Sequence, residues 1–313
     1  MRPLLIAATV ALVTTVTAVP AHAYTTEGLY LYMDARVADS YNSSNPGEWN
    51  DISVNGRNGT INGSVTYDNT NDALFFDGTD FGQNYVGLSG AFDDWGNGFT
   101  VEFTGEFGAN VNNWERIFDF GNGPESDNVW VGRLDDTQNL AIEIWDGSTN
   151  LGRCHTTDGQ LAGRTMHHWI ITMDTTPTCR IYMDGTEVAT QLRNAGVSEI
   201  GSPSTSGTAY PGLPNTITRI HNYVGASNWT DPDFEGTIQM IRIYTRALSQ
   251  ADVTENESMS ASSGSGGSNG SGGTGGSGSR THELAATGFD VTPWLIGVVA
   301  LIVSGVVLRR RSA

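Results

Sequence analysis

Between residues 24 and 258 the chain is a series of short apolar runs, rich in β-branched and aromatic residues and cut by polar turns. The runs are GLYLYMDA (28–35), LFFDG (74–78), FTVEFTGEF (99–107), RIFDFGN (116–122), NVWVGRL (128–134), NLAIEIWDG (139–147), HHWIITMD (167–174), CRIYMDG (179–185) and GTIQMIRIYTRALS (236–249). Asp-Gly and Gly-Asn pairs punctuate them, and no long stretch shows helical period. The pattern predicts an all-β sandwich. Adjacent histidines on one strand point to opposite faces, so His167 and His168 are expected one packed and one solvated, with no shared metal.

Two further apolar segments flank this region. Residues 4–19 follow Arg2 and precede PAHA, the form of a secretory signal peptide with cleavage after Ala23. At the other end, 259–280 is almost only Gly and Ser and is expected to be a flexible stalk, with 260–279 spanning roughly 25 Å as random coil. LAATG follows, then an apolar stretch at 291–308, then Arg309, Arg310 and Arg311. That stretch is about long enough for a transmembrane helix, with the arginines cytoplasmic.

This C-terminal order resembles the sorting signal of sortase substrates in Gram-positive bacteria. Leu284, Ala285, Ala286, Thr287 and Gly288 depart from the commoner Leu-Pro-x-Thr-Gly and look like the form read by actinobacterial class E sortases. The resemblance implies that a sortase cysteine attacks the Thr287 carbonyl, Gly288 leaves with the tail, and a peptidoglycan amine resolves the acyl-enzyme. The implied product is secreted, covalently attached to the cell wall, and held by the membrane only transiently through 291–308.

Composition narrows the partners. The chain has 34 acidic residues against 16 cationic ones, a net charge of −18. Such a field makes nucleic acid and anionic membrane poor partners. All the cationic residues are arginine. Without lysine there is no amine for pilin polymerisation or Lys-Asn isopeptide cross-links, which excludes a pilus backbone. Cys154 and Cys179 are the two cysteines of an exported chain, and a disulfide between them is the default.

MDARVADSY…EWNDISVNGRNGTING, LFFDGTD, MHHWIITMDTTPTCRIYMDG and GTIQMIRIYTRALSQADV, in that order, resemble the laminin-G-like group of the concanavalin A-like lectin/glucanase superfamily. The resemblance covers nearly all of 28–253. It implies a jelly roll of two antiparallel sheets that binds glycans or proteins outside cells. It places Trp49 and Trp169 in the core. It also raises calcium, the one candidate cofactor, with Asp77, the Gly78 carbonyl and Asp80 as oxygen ligands. Gln239 stands where the family often has an acid, and Asp77-Gly78 reads equally as a turn.

The superfamily includes hydrolases that carry Glu-x-Asp-x-x-Glu on one strand. The nearest match is Glu102 to Glu106, where Thr104 replaces the central acid and Gly105 is a candidate bulge that would split Val101, Phe103 and Phe107 between faces. EIWD at 143–146 likewise lacks a third acid. A glucanase-type hydrolase is therefore the minority expectation, with a structural coat or spacer as a further alternative.

NVWVGRL and NLAIEIWDG predict a hairpin through 135–138. Pairing Leu134 with Asn139 sets Trp130 opposite Glu143. Val129, Val131, Leu140, Ile142 and Ile144 then form a core face, and Trp130, Gly132, Ala141, Glu143 and Trp145 the other. Two indoles around a small-residue floor, with a carboxylate between, suit a pyranose. Alternatively the tryptophans pack under a loop or into the second sheet. The expectation for the whole chain is a wall-anchored, non-catalytic binding module for extracellular carbohydrate or a surface partner.

Overall fold

The structure is a computed structural model that describes residues 24–264 except 79–80, 94, 96, 194–198 and 215–216. Among these residues the strands run β1 (Leu29–Asp34), β2 (Glu48–Trp49), β3 (Gly59–Asn62), β4 (Thr66–Asp68), β5 (Ala73–Asp77), β6 (Tyr85–Leu88), β7 (Phe99–Phe107), β8 (Arg116–Gly121), β9 (Val129–Arg133), β10 (Leu140–Asp146), β11 (Thr149–Thr156), β12 (His167–Met173), β13 (Thr178–Met183), β14 (Thr186–Glu187), β15 (Thr190–Arg193), β16 (Glu199–Ser204), β17 (Thr208–Ala209), β18 (His221–Val224) and β19 (Glu235–Tyr244). A single described helix, α1 (Gln250–Gly264), follows. The nine runs read from sequence all become strands, with bounds shifted by a few residues.

The strands form two antiparallel sheets, as the sandwich requires. The first has the order β14-β13-β12-β7-β19-β5-β4, with β1 also on β19 and β17 on β13. The second has the order β16-β15-β11-β10-β9-β8-β18-β6-β3-β2. Alternate residues face inward, because successive side chains of a strand point to opposite faces. Phe99, Val101, Phe103, Trp169, Ile171, Ile241 and Ile243 from the first sheet meet Phe118, Phe120, Val129, Val131, Ile142 and Ile144 from the second. Trp49 and Trp169 are both in this core. Cys154 on β11 and Cys179 on β13 are disulfide-bonded, so one covalent link joins the two sheets.

One detail of β7 differs from the sequence expectation. Its register against β12 runs unbroken from Phe99 to Gly105, and the irregularity lies on β19 instead, between Ile238 and Met240. Gln239 is the extra residue there; its side chain donates to the Asn71 carbonyl at 2.6 Å. β7 therefore keeps a strict alternation, and Val101, Phe103 and Phe107 share the core face. Gly105 is not the bulge.

The helix α1 is a second correction. No helical period marks it in the sequence, and it extends to Gly264, into the stretch expected to be stalk. Ser249 caps it: its hydroxyl accepts the Asp252 N–H at 3.3 Å, while the Asp252 carboxylate accepts the Ser249 N–H at 2.8 Å. Hydrogen bonds from Arg246 hold the Asp252 carboxyl well below the usual range. The helix lies on the outer face of the first sheet, where Val253 packs with Ile170, Tyr182, Tyr244 and Leu248. Thr25 donates its N–H to the Asn256 side chain at 3.0 Å, so the first described residues lie beside the helix. No helix among the described residues is long and apolar enough to cross a membrane. The signal peptide, the sorting motif 284–288 and the span 291–308 lie outside the described residues.

Candidate functional site

The β9–β10 hairpin pairs as the sequence predicts. Trp130 lies opposite Glu143, and the Leu134 N–H donates to the Asn139 carbonyl at 2.9 Å. Trp130, Ala141, Glu143 and Trp145 do share the outer face of the second sheet. The face is not the open platform that the pattern suggests. Trp130 is 1 % exposed. The Arg116 guanidinium sits 3.8 Å over its ring, and Trp114 meets it edge-on at 6.1 Å. Glu143 is also buried, and it accepts from the Trp130 indole at 3.2 Å, the Trp145 indole at 2.8 Å and the Arg153 guanidinium. A buried carboxylate must collect donors, and here it collects both indoles. Trp114 and Trp229 come from loops that the strand pattern does not place, and they cover what the hairpin alone would leave bare. Trp145 stays half-buried, tilted against Trp229 at 5.9 Å.

An open-sided groove of 430 Å³ lies on the same outer face, over β6 and β18. Tyr85, Tyr223 and His221 line it with Asn122, Ser227 and Asn228. Val86, Leu88 and Val224 point into the core, so alternation turns Tyr85, Tyr223 and His221 outward. The Tyr85 and Tyr223 rings meet edge-on at 5.1 Å, and His221 stacks on Tyr223 at 6.4 Å. The amides are held in place. The buried Asp119 carboxylate accepts the Asn228 backbone N–H at 2.9 Å and its side-chain amide at 3.0 Å. Burial pushes the Asp119 carboxyl up, and the nearby Arg116 charge and these donors oppose the shift. Asn122 donates to the Thr218 carbonyl at 3.0 Å and accepts from the Ile220 N–H at 3.2 Å. Sequence reasoning missed this site, because YVGL and HNYV are four-residue strands. The signal was there: Tyr85 in the first, and His221 and Tyr223 at alternate positions of the second.

The other candidates fall elsewhere. Glu102 lies on the opposite sheet and is 0 % exposed, sealed under α1. It accepts from His168 Nε2 at 2.9 Å, Arg242 at 2.9 Å, Tyr244 at 3.1 Å and Asn256 at 2.8 Å. Burial alone would raise its pKa; the Arg242 and His168 charges outweigh that and hold it at about 2. Burial likewise opposes the charge on His168, but its bonds to Glu102 and Glu257 raise it to about 9. His168 is thus the packed histidine, and His167 is half-exposed beside Asp184. Glu106 is four residues along the same strand, or about 13 Å away. A retaining pair needs about 5–5.5 Å, so these two carboxylates do not form one.

Asp77 accepts the Asn84 amide at 2.9 Å, and Gly78 has φ +65°, the left-handed conformation of a turn. Asp80 is outside the described residues. No group of three His, Cys, Asp or Glu among the described residues is placed to hold a metal ion. The acid beside this loop, Asp233, accepts the backbone N–H groups of Gly82, Gln83 and Asn84 at 2.8–3.0 Å. That is the chemistry of a loop clamp.

Comparison with known proteins bears on this geometry. The sequence profile of a laminin G family, described as the concanavalin A-like lectin/glucanases superfamily, matches residues 77–254. No curated protein matches the sequence. Among solved structures, the binding domain of botulinum neurotoxin DC in complex with SialylT is similar with a TM-score of 0.52 and 12% identity, over 74% of this chain and 51% of that one. A Trypanosoma rangeli sialidase in complex with sialic acid gives 0.46 and 15%, over 75% and 33%. Domain 4 of AbnA, a GH43 extracellular arabinanase from Geobacillus stearothermophilus, in complex with arabinotriose, gives 0.47 and 18%, over 72% and 97%. The chain spans about half the length of the toxin domain it matches. At these identities the likeness to the toxin binding domain is one of fold alone.

Proposed function

The chain belongs to the concanavalin A-like lectin/glucanases superfamily, and from that premise we propose that it is a non-catalytic binding module for extracellular carbohydrate, displayed on the cell wall. The observation that carries the reading is the groove beside β6 and β18. Its aromatic rings offer apolar faces to a sugar ring, and its fixed amides offer hydrogen bonds to hydroxyls. The position of Glu102 supports binding over hydrolysis, since this carboxylate of the nearest glucanase-like match is closed off by α1 and Glu106 is too far along the strand to pair with it. Display on the wall rests on the N-terminal signal pattern and on Leu284 to Gly288 ahead of the apolar span.

A glycan array probed with the purified protein tests the binding reading. Binding that is lost in Tyr223→Ala, with the melting temperature retained, supports it; an array without signal removes it. Mass spectrometry of wall-released protein tests the display. The expected C-terminal residue is Thr287, and native protein that retains Arg309 to Arg311 would refute sorting.

A further inference from the structure

We infer that the binding face is longer than the groove and takes an internal stretch of an uncharged polysaccharide, laid across the strands from Tyr85 and Tyr223 to Trp229 and Trp145. The inference rests on the glycan-binding reading above. β6, β18, β8, β9 and β10 are consecutive neighbours in the second sheet. Tyr85 stands on the first of them and Trp145 on the last, four strand spacings or ~19 Å apart across the sheet and offset by about four residues or ~13 Å along it. That is the length of several linked sugar rings, well beyond one.

Two aromatic pairs lie along that line, joined by the Asn228 amide between them. Tyr85 meets Tyr223, Asn228 lines the groove, its chain neighbour is Trp229, and Trp229 meets Trp145 at 5.9 Å. Ser227 ties the two halves together: its hydroxyl accepts the Trp229 N–H at 3.0 Å and donates to Asp231 at 3.0 Å. Trp145 and Trp229 both keep part of their surface exposed, unlike Trp130. A row of ring faces at the surface, with amides between them, suits a ligand that repeats.

Charge sets the class of polymer. Among the described residues, the groove lining contains no arginine and no carboxylate. At the tryptophan end Arg116 is paired with Asp231 at 2.7 Å, and Arg153 with Glu143. Each cation therefore has its own anion beside it, and the whole chain carries −18. An acidic polymer would meet repulsion here with no uncompensated arginine to offset it.

The test takes the neutral glycan that binds best on the array and measures affinities for its series from disaccharide to hexasaccharide by titration calorimetry, at low and high salt. The expected result is a rise of at least about tenfold along the series, ~1.4 kcal/mol, that does not weaken with salt. Trp145→Ala is expected to collapse the hexasaccharide-to-disaccharide ratio, and Trp145→Phe, which keeps a ring, to restore most of it. Equal affinity for short and long members overturns the inference and leaves the glycan reading standing. So does a length effect untouched by Trp145→Ala in a protein that melts normally, or an array signal confined to acidic glycans. A blank array removes the glycan reading itself, and this inference with it.

Discussion

Replacing Glu102 by alanine removes the acceptor at the centre of a buried cluster. In the folded chain it receives Arg242, His168, Tyr244 and Asn256, and neither it nor Arg242 reaches solvent. After the substitution the Arg242 guanidinium keeps its bond to the Tyr32 hydroxyl at 3.2 Å but loses its carboxylate. Breaking a buried ion pair from one side costs about 3–5 kcal/mol, because the remaining charge is left uncompensated. For a unit of this size each kcal/mol shifts the melting temperature by ~2 °C, so Glu102→Ala is expected to melt ~6–10 °C lower. Scanning calorimetry of the wild type, Glu102→Ala, Arg242→Leu and the double variant Glu102→Leu/Arg242→Leu reads the coupling. The double variant removes both charges and is expected to recover most of the loss. A fall of less than ~2 °C in the single variant, or a double variant no better than the worse single one, would falsify the argument that this carboxylate is structural. Reducing-sugar release by the wild type that disappears in Glu102→Ala would refute it from the other side, by showing that substrate reaches the residue.

Three shorter predictions follow from the same structure. His168 has a pKa raised from 6.5 to about 9, so its contribution is complete below 6.5 and is lost as pH rises through about 9. Glu102, lowered from 4.5 to about 2, contributes above 4.5 and loses its contribution as pH falls through about 2. Melting temperature is therefore expected to peak between 4.5 and 6.5, and His168→Gln to lack the alkaline decline; a variant with the wild-type alkaline limb contradicts the assignment. Loss of the Cys154–Cys179 link, which closes a 25-residue separation, is expected to cost about 3–4 kcal/mol, measured as urea unfolding of Cys154→Ala/Cys179→Ala against wild type. An unchanged midpoint would mean that the sheets hold together without it. Finally, Trp130→Ala is expected to destabilise by ~3–5 kcal/mol as a core truncation, whereas Tyr223→Ala on the surface stays within ~0.5 kcal/mol. If the two cost the same, the division between packed and groove-lining aromatics is misplaced.

How legible this was in the sequence depended on strand length. The long runs, such as FTVEFTGEF and NLAIEIWDG, carry enough alternation to fix both their strand state and which side faces inward. The hairpin register, with Trp130 opposite Glu143, followed from that alternation. β6 and β18 have only four residues each, too few for a period to stand out, and the groove sits over both. The fate of Trp130 was set by Trp114 and Trp229, loop residues whose positions depend on tertiary contacts such as Arg116 with Asp231. The helix α1 escaped for a different reason. Besides Val253, it docks through Asn256 and Glu257, which read as solvent-facing until their partners Glu102 and His168 are known.

The placement of α1 has a practical meaning for orientation. The helix and the residues around Thr25 share one flank of the molecule, and the tyrosine-lined groove opens on the reverse flank. A carrier, bead or support joined directly at the helix or beside Thr25 would therefore hold the domain by its back. The grooved side would point away from the support, free of steric interference, whichever of the two was used as the handle.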